Sequence, residues 1–551
     1  MICAGLSTPF EAAAMLDRPR RDFAAAIAPA PPAVPMQAGP AVTGIARPGG
    51  EIANLQILRA FAACLVLVHH VAVYGQALRG AGRPFAALDH LMGVWGVAIF
   101  FALSGFLMAR LVTRDAPLVF LAHRVGRIFP TYLAVVSLFA GVFAAFGLPF
   151  GGVSVLALSL APGGVRGSPL NVEWTLALEL SFYVGLFLLA AAGWARRLVP
   201  VAACWLVLLA VAFPLLPPDS RSLMPPPLYL VPVTAACAPF AGGLLLPRLI
   251  AAGWVRPATA LLALPLVVLC AFVDTAAARW IGGVAAILIV GAAVTAPALP
   301  RDRPAARAVI ALGDWSYVLY LAHPPVLMLA SWACPTDWPG AAYAGIAVAG
   351  ALLVAALLGP LDVAVYRRLR RRIDALTPAA LKRAVATFLV VFLGCALWGS
   401  VETARDALAE SRARTAIGVL PAGAWTAPRQ AELAITERGL ALPSALRGAV
   451  ESVERLSQTE FLITAYAFDP GRPSRGLQLA LFCGGRLVAL DKPRRLRRDL
   501  AAQPGFEGMG TRRIGFRTRI PAKACGPETI VAALVDEGGL MAVLPVPQPA
   551  R

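Results

Sequence analysis

The chain is short of charge. Only 14% of its 551 residues are Asp, Glu, Lys or Arg, where a water-soluble chain carries about 25%. With 59% hydrophobic residues, it has more apolar surface than water-facing domains can hide, so an ordinary soluble fold is excluded. Acid is scarcer than base, with 30 acidic and 49 basic residues and a net charge of +19. A charge of that size invites a nucleic-acid reading. Most Lys and Arg fall between apolar runs, however, where basic residues set membrane topology, and no nucleic-acid partner is expected. Metal-ligand spacing is lacking too. Cys3, Cys64, Cys204, Cys237, Cys270, Cys334 and Cys395 are scattered singly, so no metal site is expected. No secretory signal is visible. Residues 1–49 are rich in Ala and Pro, with Arg18, Arg20 and Arg21, and read as a disordered cytoplasmic arm.

Long apolar runs fill the rest. Eleven segments approach or exceed the roughly 20 residues that cross a bilayer core. They are expected at 52–74, 91–111, 128–148, 174–194, 199–216, 228–247, 257–274, 280–298, 309–332, 341–363 and 384–400. With a cytoplasmic N-terminus, the inner loops hold Arg110, Arg114, Arg124, Arg127, Arg196, Arg197, Arg248, Arg256, Arg301, Arg303, Arg307 and the run from Arg367 to Arg372 with Lys382 and Arg383. The outer loops hold only Arg79, Arg83, Arg166, Arg221 and Arg279. That asymmetry orients the chain by the positive-inside rule.

After the last, short run the composition changes. Helical patterning (ARDALAESRAR) gives way to alternating runs, FLITAYAF, LQLALFC, RLVAL, RIGFRTRI and TIVAALV, separated by Gly, Pro and Asp. These read as a small β-sandwich over 401–551, placed outside the membrane by the final span. In an oxidising space Cys483 and Cys525 are expected to form a disulfide; two free thiols in a β core are the alternative. The basic run Lys492, Arg494, Arg495, Arg497 and Arg498 reads first as a solvated loop, and second as a contact for an anionic glycan or lipid.

Ionisable groups inside apolar runs are costly and mark function. Arg59 and His70 share one helix. Eleven steps of about 100° return to nearly the same face, roughly 16 Å along the axis. A histidine bonded to a backbone carbonyl is the plainer reading of His70. Glu179 and His323 reach similar depth, and two imidazoles with a carboxylate make a general-base set. Pro324 and Pro325 should break or bend the helix after His323. Arg124 and Arg127 lie one turn apart, suited to clamping phosphates with Arg59 or simply to holding topology.

Together these segments resemble the acyltransferase 3 family, membrane O-acyltransferases of cell-surface glycans. The resemblance covers about 51–372. It rests on Arg59 and His70; on GVAIFFALSGFL with Ser104; on HRVGRIFP with Arg124 and Arg127; on WTLALELSFY with Trp174, Glu179 and Tyr183; and on LGDWSYVLYLAHPPVL with Ser316, Tyr317, Tyr320 and His323. Departures stand at Ala98, at Leu180, and after the tenth span, where Asp362 precedes VAVYRRLRR. The resemblance implies that an acyl group, acetyl in the first instance, passes from acetyl-CoA or another acyl-CoA to a hydroxyl of an extracytoplasmic glycan at a bacterial inner membrane. No tightly bound cofactor is expected. It implies His70 as base or acyl relay, supported by Glu179 and His323. Arg59, Arg124 and Arg127 would hold CoA phosphates, and Ser104, Trp174, Tyr183, Ser316, Tyr317 and Tyr320 would support the substrates. A polytopic transporter or flippase is the rival reading; it should show internal repeats of broken helices, but the segment from Arg59 to His70 has no clear repeat in the second half of the chain.

Overall fold

Hydrocarbon offers no partner to a backbone N–H or C=O, so apolar runs of this length satisfy themselves as helices. The computed structural model describes residues 48–547, apart from 81–85, 165–166, 218–219, 222–223, 298–302, 336, 443–445, 456–459, 472–475, 494, 498, 501–505, 507–512, 522–524 and 526–528. The arm up to residue 47 and Arg83, Arg166, Arg301, Arg494 and Arg498 therefore lie outside the described residues.

The helices are α1 (Pro48–Arg79), α2 (Ala86–Arg114), α3 (Pro117–Ala145), α4 (Val155–Ser159), α5 (Glu173–Ala191), α6 (Leu198–Leu215), α7 (Ala238–Ala251), α8 (Ala263–Leu269), α9 (Thr275–Thr295), α10 (Pro304–Ala333), α11 (Gly340–Asp374), α12 (Pro378–Gly418) and α13 (Pro428–Glu437). Among the described residues, eight helical segments are long and apolar enough to cross a bilayer: α1, α2, α3, α5, α6 with its leading turn, α9, α11 and α12. The protein is a polytopic helical membrane protein with a β-rich C-terminal part.

Three expectations need correction. The spans placed at 228–247 and 257–274 are not single helices. They divide into 3-10 turns followed by the short α7 and α8, because prolines at 232, 239, 257 and 265 remove backbone donors. Conversely, α10 runs unbroken through Pro324 and Pro325. Each proline removes only one intrahelical bond, and burial of both rings and their neighbours holds the helix together. The last span is also not short. It belongs to the 41-residue α12, about 62 Å long against a hydrocarbon core of about 30 Å, so helix continues well past the apolar stretch.

Small residues set the close contacts. Gly105 on α2 lies against α7, where an added Cβ would meet the Phe240 carbonyl oxygen at 2.2 Å; Gly243 faces back onto the Ala102 carbonyl at 2.3 Å. The two backbones touch because neither residue has a side chain. The long helix is tied to the bundle in the same way, Gly399 against Gly163. Beside that contact Thr403 Oγ1 donates to the Gly163 carbonyl at 2.9 Å, and the Leu228 N–H donates to Ser400 Oγ at 2.8 Å.

The C-terminal part has two antiparallel four-stranded sheets. With β1 (Arg447–Arg455), β2 (Glu460–Phe468), β3 (Leu477–Cys483), β4 (Arg486–Asp491), β5 (Arg495–Leu496), β6 (Arg513–Pro521), β7 (Ile530–Asp536) and β8 (Met541–Leu544), the orders are β1-β2-β6-β5 and β4-β3-β7-β8. One core, with Phe461, Ile463, Leu479, Leu481, Phe516 and Leu534, fills the space between the sheets. A second core covers the outer face of the β3–β7 sheet with Ala413 and Ile417 of α12, Trp425 and Ile435. Trp425 stacks flat on Phe482, centroids 4.0 Å apart. Covered on both faces, β7 is apolar at successive positions and buried throughout. Cys483 and Cys525 are joined by a disulfide, with Cα atoms 5.3 Å apart.

Two outcomes are expected. Gly105→Leu forces α2 and α7 apart and lowers the thermal unfolding midpoint of the detergent-solubilised protein by several degrees; an unchanged midpoint would mean that the contact is not tight. Non-reducing peptide mapping recovers a Cys483–Cys525 cross-linked peptide, and two free thiols would contradict it.

Candidate active site

The polar residues of the spans converge on three cavities arranged in series. The first, about 300 Å³, is lined by Arg59, Arg124, Arg127, Glu179, Ser316 and Tyr317 among others. The second, about 200 Å³, is lined by His69, His70, His90, Trp174 and Arg279. Val97, Phe101 and Tyr320 line both. Trp174 joins the second to a third of about 160 Å³ beside the 156–173 loop. Helix direction explains the order. Along α1, Arg59 reaches the first cavity and His70, eleven residues later, reaches the second. Along α5 the sequence is reversed, with Trp174 at the second cavity and Glu179 and Tyr183 at the first.

His70 and His323 touch, Nδ1 to Nε2 at 3.0 Å. Their backbone contacts define the proton positions. A carbonyl only accepts, so His323 Nδ1, 3.1 Å from the Leu319 oxygen, carries a proton. In the neutral ring Nε2 is then bare and accepts from His70 Nδ1–H, which also faces the Val66 carbonyl at 3.0 Å. Both contacts of His70 demand the same tautomer, leaving His70 Nε2 as the unprotonated nitrogen. The plainer reading of His70, a histidine held by a backbone carbonyl, thus describes one side of its ring, and the pairing with His323 comes in addition.

Glu179 does not join this pair. It accepts from the Tyr183 hydroxyl and, at 3.4 Å, from Ser104 Oγ, and Ser104 Oγ and Tyr183 Oη are 3.2 Å apart. The carboxylate therefore belongs with the arginines, one α5 turn from the wall shared with the histidine cavity. Tyr320, on that wall, shares a 2.7 Å hydrogen bond with Thr175 Oγ1. Tyr317 donates to the Ile128 carbonyl at 2.8 Å.

The three arginines differ in their partners. Arg59 Nε donates to Ser316 Oγ at 3.2 Å. Arg127 pairs with Asp362, both carboxylate oxygens within 2.9 Å of Nη1, while Thr131 also donates to Asp362. Tyr317 and Tyr366 flank the Arg127 guanidinium at 5.1 and 5.2 Å from their ring centroids. Arg124 Nε is buried and has no hydrogen-bond partner among the described residues. Arg127 is thus already neutralised, whereas Arg124 lines the first cavity with no carboxylate paired to it among the described residues.

Sequence reasoning missed three residues. Asp362 stood out only as a departure from a motif. Glu173, beside Trp174, is buried and accepts from the backbone N–H groups of Leu170 and Val172 at 2.7 and 3.0 Å and from Ser168. Arg279, expected in an outer loop, lies inside α9 with its guanidinium 5.7 Å from the Trp174 ring centroid. An aromatic partner facing a shared cavity leaves no periodic signal.

A membrane-embedded bundle with buried histidine and arginine sites defines a membrane enzyme or carrier, and comparison with known families decides between them. The acyltransferase 3 family, described by its acyltransferase domain, matches residues 52–361. The chain belongs to this family and is a membrane acyltransferase. No curated protein matches the chain, and no solved structure does.

Asp362→Ala leaves the Arg127 charge, on a side chain 22% exposed at the first cavity, without its carboxylate and should cost about 1–3 kcal/mol of stability. The double variant Arg127→Leu/Asp362→Leu should recover much of that loss. Equal unfolding midpoints for Asp362→Ala and the wild type would show that the pair carries no stabilisation.

Proposed function

We propose that the protein is an O-acyltransferase that takes an acyl group, acetyl in the first instance, from cytoplasmic acyl-CoA and passes it to a hydroxyl of an extracytoplasmic glycan. The observation that carries this reading is the pairing of two cavities. One is lined by three arginines suited to phosphates. The next, across the Tyr320 wall, contains a histidine whose tautomer leaves Nε2 free to take a proton.

The chemistry follows from that pairing. Arg59 and Arg124 hold the CoA phosphates, and Arg127, fixed by Asp362, shapes the wall. Glu179, with Ser104 and Tyr183, offsets the cavity's positive charge and orients the thioester-bearing arm. His70 Nε2 takes the proton of the acceptor hydroxyl. The oxygen forms a bond to the thioester carbonyl carbon, the carbon–sulfur bond breaks, and the CoA sulfur recovers the proton from His70. His323 holds His70 Nδ1–H and stabilises the imidazolium of the intermediate state. Trp174, Ser316, Tyr317 and Tyr320 position the two substrates. The excess of basic residues in alternate inter-helix segments supports a cytoplasmic N-terminus; in this reading the disulfide-bearing β domain lies outside a bacterial inner membrane, where it presents the acceptor.

In proteoliposomes supplied with labelled acetyl-CoA and cell-surface glycan extract, His70→Ala should lower acceptor-dependent CoA release by about 10²–10⁴-fold. His323→Ala should lower it less. Arg124→Ala should raise KM for acetyl-CoA by about tenfold with kcat little changed. Unaltered turnover in His70→Ala would remove the base assigned here.

A further inference from the structure

Arg279 is placed where a cation gains little from the protein. It lies in the second turn of α9, near the positive end of the helix macrodipole, which favours anions. It is half-buried, and among the described residues its one hydrogen-bonding, ionic or ring partner is the face of Trp174 at 5.7 Å. The carboxylates nearest in sequence to this pair are engaged elsewhere. Asp274 caps α9, accepting from the Ala276 and Ala277 N–H groups at 2.8 and 2.9 Å. Glu173 is held by Ser168 and two backbone N–H groups. Among the described residues, the cavity that Arg279 shares with His70 is lined by three histidines and a tryptophan and by neither Asp nor Glu.

A desolvated arginine without an acid partner is costly unless a ligand supplies the charge. We propose that Arg279 selects the acceptor: the glycan carries an anionic group, a sugar carboxylate or phosphate, that pairs with Arg279 while the sugar ring packs on Trp174 and offers its hydroxyl to His70. This inference rests on the reading of the second cavity as the acceptor side. It adds the charge of the acceptor, and it makes Arg279 a specificity-determining residue. The proton transfer remains with His70.

The test is binding of small glycosides to the full chain in zwitterionic nanodiscs, followed by saturation-transfer NMR. The probes are methyl β-glucuronide, methyl glucoside 6-phosphate and methyl β-glucoside. At least one anionic probe should bind the wild type about tenfold more tightly than the neutral one, and which of the two does so separates carboxylate from phosphate. Arg279→Gln should bring all three within about twofold, while Arg279→Lys keeps part of the preference and controls for misfolding. Equal binding of the three by the wild type, or a preference that survives in Arg279→Gln, would overturn the proposal. CoA release from labelled acetyl-CoA is read on the same samples. Anion preference without CoA release would sink the donor reading and leave Arg279 standing; CoA release without preference would do the reverse.

Discussion

A polar group in hydrocarbon must find its partner within the protein, and the bundle is arranged around that requirement. Three of the four charged side chains of the first cavity are tethered to a residue of another helix or of their own. Arg127 is tied to Asp362 across α3 and α11, Arg59 to Ser316 across α1 and α10, and Glu179 to Tyr183 one turn along α5 and to Ser104 on α2. These contacts satisfy buried polar atoms, and they also fix which helices stand side by side. Close approach at Gly105 and Gly243 then closes the apolar remainder. The chain of cavities is what remains along the axis once these pairings are made.

The histidine pair shows the same economy. His323 bonds backward to Leu319 within α10, His70 bonds backward to Val66 within α1, and each ring is thereby held in one tautomer. Two ordinary side-chain-to-backbone contacts become a directed proton acceptor only because α1 and α10 bring the rings to 3.0 Å. Neither helix alone supplies a base of defined orientation. This is why the plain reading of a membrane histidine and the catalytic one are compatible in this protein.

Much of this arrangement was legible before any coordinates. Hydropathy located the helical segments, and the eleven-residue spacing separated Arg59 from His70 along α1. What escaped were relations between distant positions. Arg127 and Asp362 are 235 residues apart, and no local pattern joins them. The general-base set was drawn by side-chain type and depth, so Glu179 was grouped with the histidines, whereas the α5 direction sends it to the arginine side. The span at 384–400 ended where hydropathy ended, yet the Ala-rich polar stretch after Ser400 has good helix propensity and carries α12 on to Gly418. Proline was read as a breaker at 324 and 325, where packing overrides it, and underweighted around 225–265, where it divides two expected spans.

The long helix gives the β part a mechanical relation to the bundle. Its middle is fixed to the 162–163 loop by Ser400 and Thr403, the loop that leads to Glu173 and Trp174 and walls the third cavity. Its end supplies Ala413 and Ile417 to the core under the β3–β7 sheet, and Asp406 pairs with Lys492 just after β4. The core under the β3–β7 sheet is therefore joined by one continuous helix to the loop that walls the third cavity. An appended domain that only needed tethering would require no such continuity. Under the function proposed above, that continuity suits a module that holds a polymeric acceptor near the cavities.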